Sequence, residues 1–113
     1  MIICWDVTFP ETARTLSQKG AEIVFLPIWG GDLTLTRARA IENQIYVVSS
    51  TYDMKTAVFD KKGNILKEAT EENPVIVTKV DLNEREMWPW LGDFKSRIPR
   101  EMPSQVATQA IDQ

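Results

Sequence analysis

Ala21-Glu22-Ile23-Val24-Phe25-Leu26-Pro27-Ile28 is an apolar run interrupted only by Glu22 near its start. It is far shorter than the ~20 apolar residues of a membrane span. A run of this length reads as a strand covered on both faces, as in a parallel sheet packed between helices or between sheets. Parallel neighbours need crossover connections, and the flanking sequence offers them. On the N-terminal side, residues 1–4 read as a strand end and residues 6–8 as a turn. Thr8 is the expected N-cap, with Pro10 near the first helical position and Glu11 in the first turn, where the helix dipole favours an anion. Ala13 and Leu16 share a helix face, and Gly20 ends the helix as a C′ residue. Strand, helix and strand then make a right-handed βαβ unit.

The pattern continues downstream. Trp29-Gly30-Gly31-Asp32 is a loop at the C-terminal end of the apolar strand, where open α/β sheets gather ligands. A second helix is predicted over residues 33–43, with Thr34, Thr36, Arg37 and Arg39 making one side polar. Residues 45–50 form a third strand. A hairpin follows over residues 55–67, turning through Lys61-Lys62-Gly63-Asn64 with Gly63 at positive φ. Residues 71–74 read as a solvated turn, 75–80 as a further strand and 81–87 as a short helix or turn. Residues 88–94 are aromatic and broken by Pro and Gly; residues 95–103 read as an extended arm and 104–113 as a frayed tail. The expected division is therefore 1–87 as the domain and 88–113 as arm and tail, the aromatic arm packing on a partner surface.

A chain of 113 residues holds one core. Its net charge of −3 argues against nucleic acid or an anionic membrane as partner. The single cysteine forms no internal disulfide, which fits a cytoplasmic setting. The histidine count is zero, so Cys-His and Ser-His pairs within this chain are excluded, as is nearly every catalytic zinc site. No metal and no cofactor are expected. Chemistry at Cys4 would need a carboxylate or lysine to handle its proton.

A lone cysteine is by default a small buried hydrophobe. The position of Cys4 between a strand and a helix gives it a second reading, as the nucleophile of an elbow whose next backbone N–H, that of Trp5, serves as oxyanion donor. Arg39 and Glu42 are three residues apart and can pair on the helix surface, worth only ~0.2–0.5 kcal/mol if exposed. Their functional reading is that one of them reaches under the Cys turn to hold Asp6 or Glu11. Trp29 is a candidate pocket wall, and equally an aromatic capping the core.

Ile3-Cys4-Trp5-Asp6 followed by Phe9-Pro10-Glu11 resembles the nucleophile motif of the nitrilase (carbon–nitrogen hydrolase) superfamily. The likeness continues in order through Gly20-Ala21-Glu22, Pro27 and Trp29, Arg37-Ala38-Arg39-Ala40-Ile41-Glu42-Asn43, Asp60 and Gly63, and Val80-Asp81-Leu82, with a weaker echo at Pro99-Arg100. It implies a four-layer α-β-β-α sandwich that pairs into homo-oligomers. It also implies a catalytic set of Glu base, Lys and Cys nucleophile acting through a thioester on an amide, carbamoyl amine or nitrile. In that family the Glu and Lys precede the Cys motif, whereas only three residues precede Cys4 here. The expectation is an α/β chain making about half of the sandwich, a mixed sheet with helices on one face, inactive without the N-terminal portion. The alternative is a non-catalytic half-domain that serves as an oligomerisation or interaction module.

Overall fold

In the computed structural model, which describes residues 1–103, the apolar run becomes β1 (Ile23–Ile28). It follows α1 (Pro10–Gln18) and precedes α2 (Leu33–Asn43). Helix α2 is the crossover to β2 (Tyr46–Thr51), which runs parallel to β1 with Ile23 opposite Tyr46 and Ile28 opposite Thr51. Strands β3 (Ala57–Phe59) and β4 (Ile65–Glu68) extend the sheet antiparallel, in the order β1-β2-β3-β4. The result is the mixed sheet with helices on one face that the sequence predicts. Between β3 and β4, Gly63 sits at φ +78°, and Asp60 Oδ1 accepts from the N–H groups of Lys62 at 2.9 Å and Asn64 at 2.8 Å. Arg37 Nε donates to the Gly63 carbonyl at 2.8 Å, pinning this turn to α2.

The core lies on one side of the sheet. Val24, Leu26 and Ile28 of β1 alternate inward and meet Val47, Ala57 and Phe59, with Ile2, Val7, Ala40 and Ile45 closing over them. The expectation that β1 is covered on both faces is not met: Phe25, on the opposite face, is 56% exposed. The polar side expected of α2 is also partly turned inward, because Thr36, Arg39 and Asn43 are buried along with Ala40.

Four local expectations change. Residues 1–3 lie outside any assigned strand and are tied to β1 by Ile2 N–H donating to the Phe25 carbonyl at 3.0 Å. The turn after them is a 3-10 helix, Cys4–Thr8, so the N-cap of α1 is Phe9 rather than Thr8. Residues 75–80 form no strand; Val75 and Val77 are exposed, and one contact to them is Lys67 Nζ donating to the Val77 carbonyl at 2.9 Å. Finally, the aromatic segment pairs as β5 (Met87–Trp88) with β6 (Gly92–Asp93), and the arm beyond it is a helix, α3 (Phe94–Glu101). Trp88 packs against Trp90 edge-on and against Phe94, which gives this short hairpin its own apolar centre. The tail expected to fray, residues 104–113, lies outside the described residues. Among those described, no helix is long and apolar enough to cross a membrane.

Ionic contacts hold α3 to the sheet at the N-terminal ends of β1 and β2. Lys95 Nζ donates to Glu22 Oε2 at 2.9 Å and to the Gln44 carbonyl at 3.3 Å. Lys61, almost wholly buried, donates to the Glu84 carbonyl at 2.8 Å and lies 3.9 Å from the same Glu22 oxygen. Burial raises the Glu22 pKa, but the Lys95 hydrogen bond and the Lys95, Lys61 and Arg85 charges outweigh it, and the net shift is downward. Burial, reinforced by Lys95, lowers the pKa of Lys61. A carboxylate whose folded pKa is depressed stabilises the fold above its unfolded value and loses that contribution as pH falls through the folded pKa. Acid titration of the unfolding midpoint should therefore show a loss below about pH 4.5 that is smaller in Glu22→Gln. Parallel curves for the two proteins would refute this account of the latch.

Candidate active site

At the C-terminal ends of β1 and β2 the chain opens an uncharged cleft of about 490 Å³, lined by Cys4, Pro27, Ile28, Trp29, Ser50, Thr51 and Tyr52. Cys4 reaches it from the first position of the 3-10 turn, half-buried and with φ at +47°. For a residue with a Cβ that conformation is strained and needs support from its surroundings. The support comes from two sides. N-terminally, Ile3 N–H donates to Asp6 Oδ2 at 3.2 Å while Asp6 N–H donates to the Ile3 carbonyl at 3.0 Å, closing the turn reciprocally. C-terminally, Arg39 comes up from α2. Its Nε donates to the Val7 carbonyl at 3.0 Å and its Nη2 to the Thr8 carbonyl at 3.1 Å, while Nη1 pairs with Glu42 at 2.8 Å.

The structure thus brings Arg39 beneath the Cys turn, but onto backbone carbonyls rather than onto the Asp6 or Glu11 carboxylates. Glu42 touches the turn only through Arg39. Glu11 is exposed; its carbonyl accepts from Thr15 Oγ1 at 2.8 Å, within α1 and away from the turn. Trp5 follows Cys4 with its ring 71% exposed. As the second residue of a 3-10 turn, Trp5 has an N–H without an acceptor inside that turn. Among the described residues no group of three or more His, Cys, Asp or Glu side chains is placed to hold a metal ion.

Trp29 lies on the cleft wall, and its carbonyl organises the loops there. It accepts from Tyr52 N–H at 3.0 Å, Asp53 N–H at 2.8 Å and Thr51 Oγ1 at 3.0 Å. The Trp29 and Tyr52 rings stack with centroids 4.5 Å apart and planes 20° from parallel. Gly31 lets the loop fold back here, since a Cβ at that position would stand 2.6 Å from Ile28 Cδ1. Ser50, Thr51 and Tyr52 had no place in the sequence reading of the site. The signal for them was present: parallel pairing puts the end of β2 beside the end of β1, so the residues after Ser49 adjoin Trp29.

A family profile described as carbon-nitrogen hydrolase matches residues 1–89. The chain belongs to the carbon-nitrogen hydrolase family. Human deaminated glutathione amidase is 33% identical over 117 aligned positions, covering 88% of this chain and 36% of the human protein. Nit3 of Saccharomyces cerevisiae, a member of the nitrilase superfamily, superposes with a TM-score of 0.53 at 32% identity, over 61% of this chain and 32% of that one. An amidase from Nesterenkonia sp. AN1, solved with acrylamide added at its active site cysteine, gives a TM-score of 0.52 at 30% identity over 59% of this chain and 32% of that one. The carbon-nitrogen hydrolase chain described here therefore spans about a third of the length of these relatives.

Arg39 carries the geometry of the turn in this family member, and its replacement measures that dependence. A lysine keeps the charge but cannot direct three separate N–H groups at Val7, Thr8 and Glu42. Loss of charge-assisted bonds in a buried site predicts that Arg39→Lys lowers stability by about 2 kcal/mol. Equilibrium urea unfolding reads this directly, and a variant within 0.5 kcal/mol of the parent, roughly the range of an ordinary surface substitution, would show the contacts to be incidental.

Proposed function

We propose that this chain supplies the nucleophile of a hydrolase that cleaves non-peptide C–N bonds in small-molecule amides, with Cys4 as the attacking residue. The observation that carries the reading is the strained Cys4, held at φ +47° by its supported turn and facing the uncharged cleft. In this mechanism Cys4 Sγ attacks the amide carbonyl carbon, and the oxygen takes up the negative charge opposite the unpartnered Trp5 N–H. Collapse breaks the C–N bond, the amine or ammonia leaves with a proton, and a thioester remains on sulfur. Water then adds to the thioester, releasing the acid and restoring the thiol. Asp6 and Arg39, with Glu42 behind it, are positioning residues that hold the turn. The relatives favour an amide over a nitrile or carbamoyl amine, since two of the three are amidases.

Among the described residues, no carboxylate or lysine lines the cleft. The family resemblance places the Glu base and the Lys N-terminal to the nucleophile motif, so the proposed enzyme needs a portion that this chain does not carry. The exposed sheet face around Phe25 gives that portion a surface to cover, and the hairpin with Trp90 exposed offers a second for pairing of copies.

Ammonia release from a panel of small amides tests the scheme. The 113-residue chain alone is expected to release none. Supplied with an N-terminal portion carrying the Glu and the Lys, fused or mixed, it is expected to turn over, and Cys4→Ala is expected to abolish that turnover. Activity surviving Cys4→Ala would overturn the nucleophile assignment. Robust Cys4-dependent turnover by the chain alone would overturn the need for a second portion, and a reconstituted but inert complex would favour an interaction module. Removal of residues 88–113 should lower the mass seen by light scattering if the aromatic hairpin joins copies; an unchanged mass removes that interface.

A further inference from the structure

Trp29 and Tyr52, the two aromatic residues that line the cleft, are 70% and 78% exposed. They are stacked on one another, yet both border the same open space as Cys4. Their placement is not loose. Three donors converge on the Trp29 carbonyl, two of them backbone N–H groups of residues 52 and 53, and they tie the loop after β1 to the end of β2. Rigid aromatic surface held beside a reactive atom is the arrangement of a binding platform, because little side-chain freedom is lost when a flat group settles on it.

The charges around the pair narrow what such a group can be. No Lys, Arg, Asp or Glu side chain lines the cleft beside Cys4. The charges nearest to it are the Asp53 carboxylate, which packs against Gly30, and Lys55, Glu68 and Glu71 in an adjoining hollow of about 370 Å³ that Thr51 and Tyr52 share. There Lys55 and Glu68 already satisfy one another at 2.7 Å. An anionic group beside the thiol would find no counter-charge within this cleft, whereas a flat neutral group finds a preformed π surface.

Resting on the reading of Cys4 as nucleophile, we propose that the Trp29–Tyr52 stack is a specificity platform that selects amides carrying an uncharged aromatic group next to the reacting carbonyl. Cys4 is the lone thiol, so its alkylation reads the platform without any need for turnover. Iodoacetamide and N-phenyl iodoacetamide are reacted with the full chain and with a free cysteine derivative, and adducts are counted by mass. Normalised to the free thiol, the phenyl reagent is expected to gain about fivefold over iodoacetamide. Tyr52→Leu and Trp29→Leu, which keep apolar bulk without a flat face, are expected to bring the ratio close to one, the ratio being taken within each variant so that any change in its iodoacetamide rate cancels. Should either variant unfold, Tyr52→Phe serves instead, and it is expected to retain the ratio. A ratio of one in the parent, or one unchanged in the folded leucine variants, overturns the platform. Because the ratio is independent of turnover, that failure is separate from a failure of Cys4 in the ammonia assay.

Discussion

One buried guanidinium determines the shape of the candidate site. Arg39 lies on α2, yet its bonds go to the backbone carbonyls of Val7 and Thr8, at the far end of the turn that starts with Cys4. Those carbonyls end a 3-10 helix and have no further helical N–H to accept. Burying a charge without partners is costly, and Arg39 avoids that cost by meeting two carbonyls and the Glu42 carboxylate at once. The same bonds tie the far end of the turn that begins at Cys4 to α2. Stability and site geometry are here one contact seen from two ends. For this reason the i,i+3 pair with Glu42 is more than a surface ion pair, although its spacing alone suggests nothing else.

The sheet divides into two ends of opposite character. Where β1 and β2 begin, Glu22, Lys61 and Lys95 close the surface with charge, and Tyr46 adds its ring 5.3 Å from Lys61 and its hydroxyl to the Asp81 carbonyl. Burial, with the neighbouring Glu84 and Asp81 charges, raises the Tyr46 pKa and keeps that hydroxyl a donor. Where the strands end, the residues lining the cleft are uncharged, two of them aromatic, and the space is open. Parallel pairing enforces the division, since it collects like ends on one side.

What the sequence disclosed follows how local each signal is. Pro10 at the helix start, Gly20 after its end, the apolar run of β1 and the Lys61-Lys62-Gly63-Asn64 turn are determined by neighbours a few residues away and appear where the pattern puts them, although β1 buries one face rather than two. Residues 75–80 have the composition of a strand, yet they pair with neither edge strand, β1 or β4, and composition alone forms no ladder. The α3 arm carries Pro99 and reads as extended, yet Lys95 and the buried Ile98 dock it as a helix through contacts more than fifty residues away in sequence. Arg39 and Tyr52 show the same limit at the site. Arg39 is read from the sequence as one of two residues that could reach under the Cys turn, but its backbone acceptors Val7 and Thr8 are set by the packing of α2, and Tyr52 gains meaning only from the parallel register that sets it beside Trp29.

The exposed face of the sheet and the uncharged cleft bear on each other. Phe25 stands out of β1 on the face away from the helices, and a strand so placed in a finished domain would be covered. Under the proposed reading the covering portion also brings the base, so burying that face and completing the catalytic set are a single event. This explains why the cleft can hold a nucleophile in a strained turn while having no proton acceptor of its own. On that reading the turn is held by Arg39 and Asp6 within this chain, and the covering portion would have only to place its carboxylate within reach of sulfur. A turn that formed only on assembly would have to be ordered at the same moment as the interface, at the entropic cost of both. Preforming the turn on this chain separates the two, and leaves Cys4 as the fixed point against which the rest of the site is built.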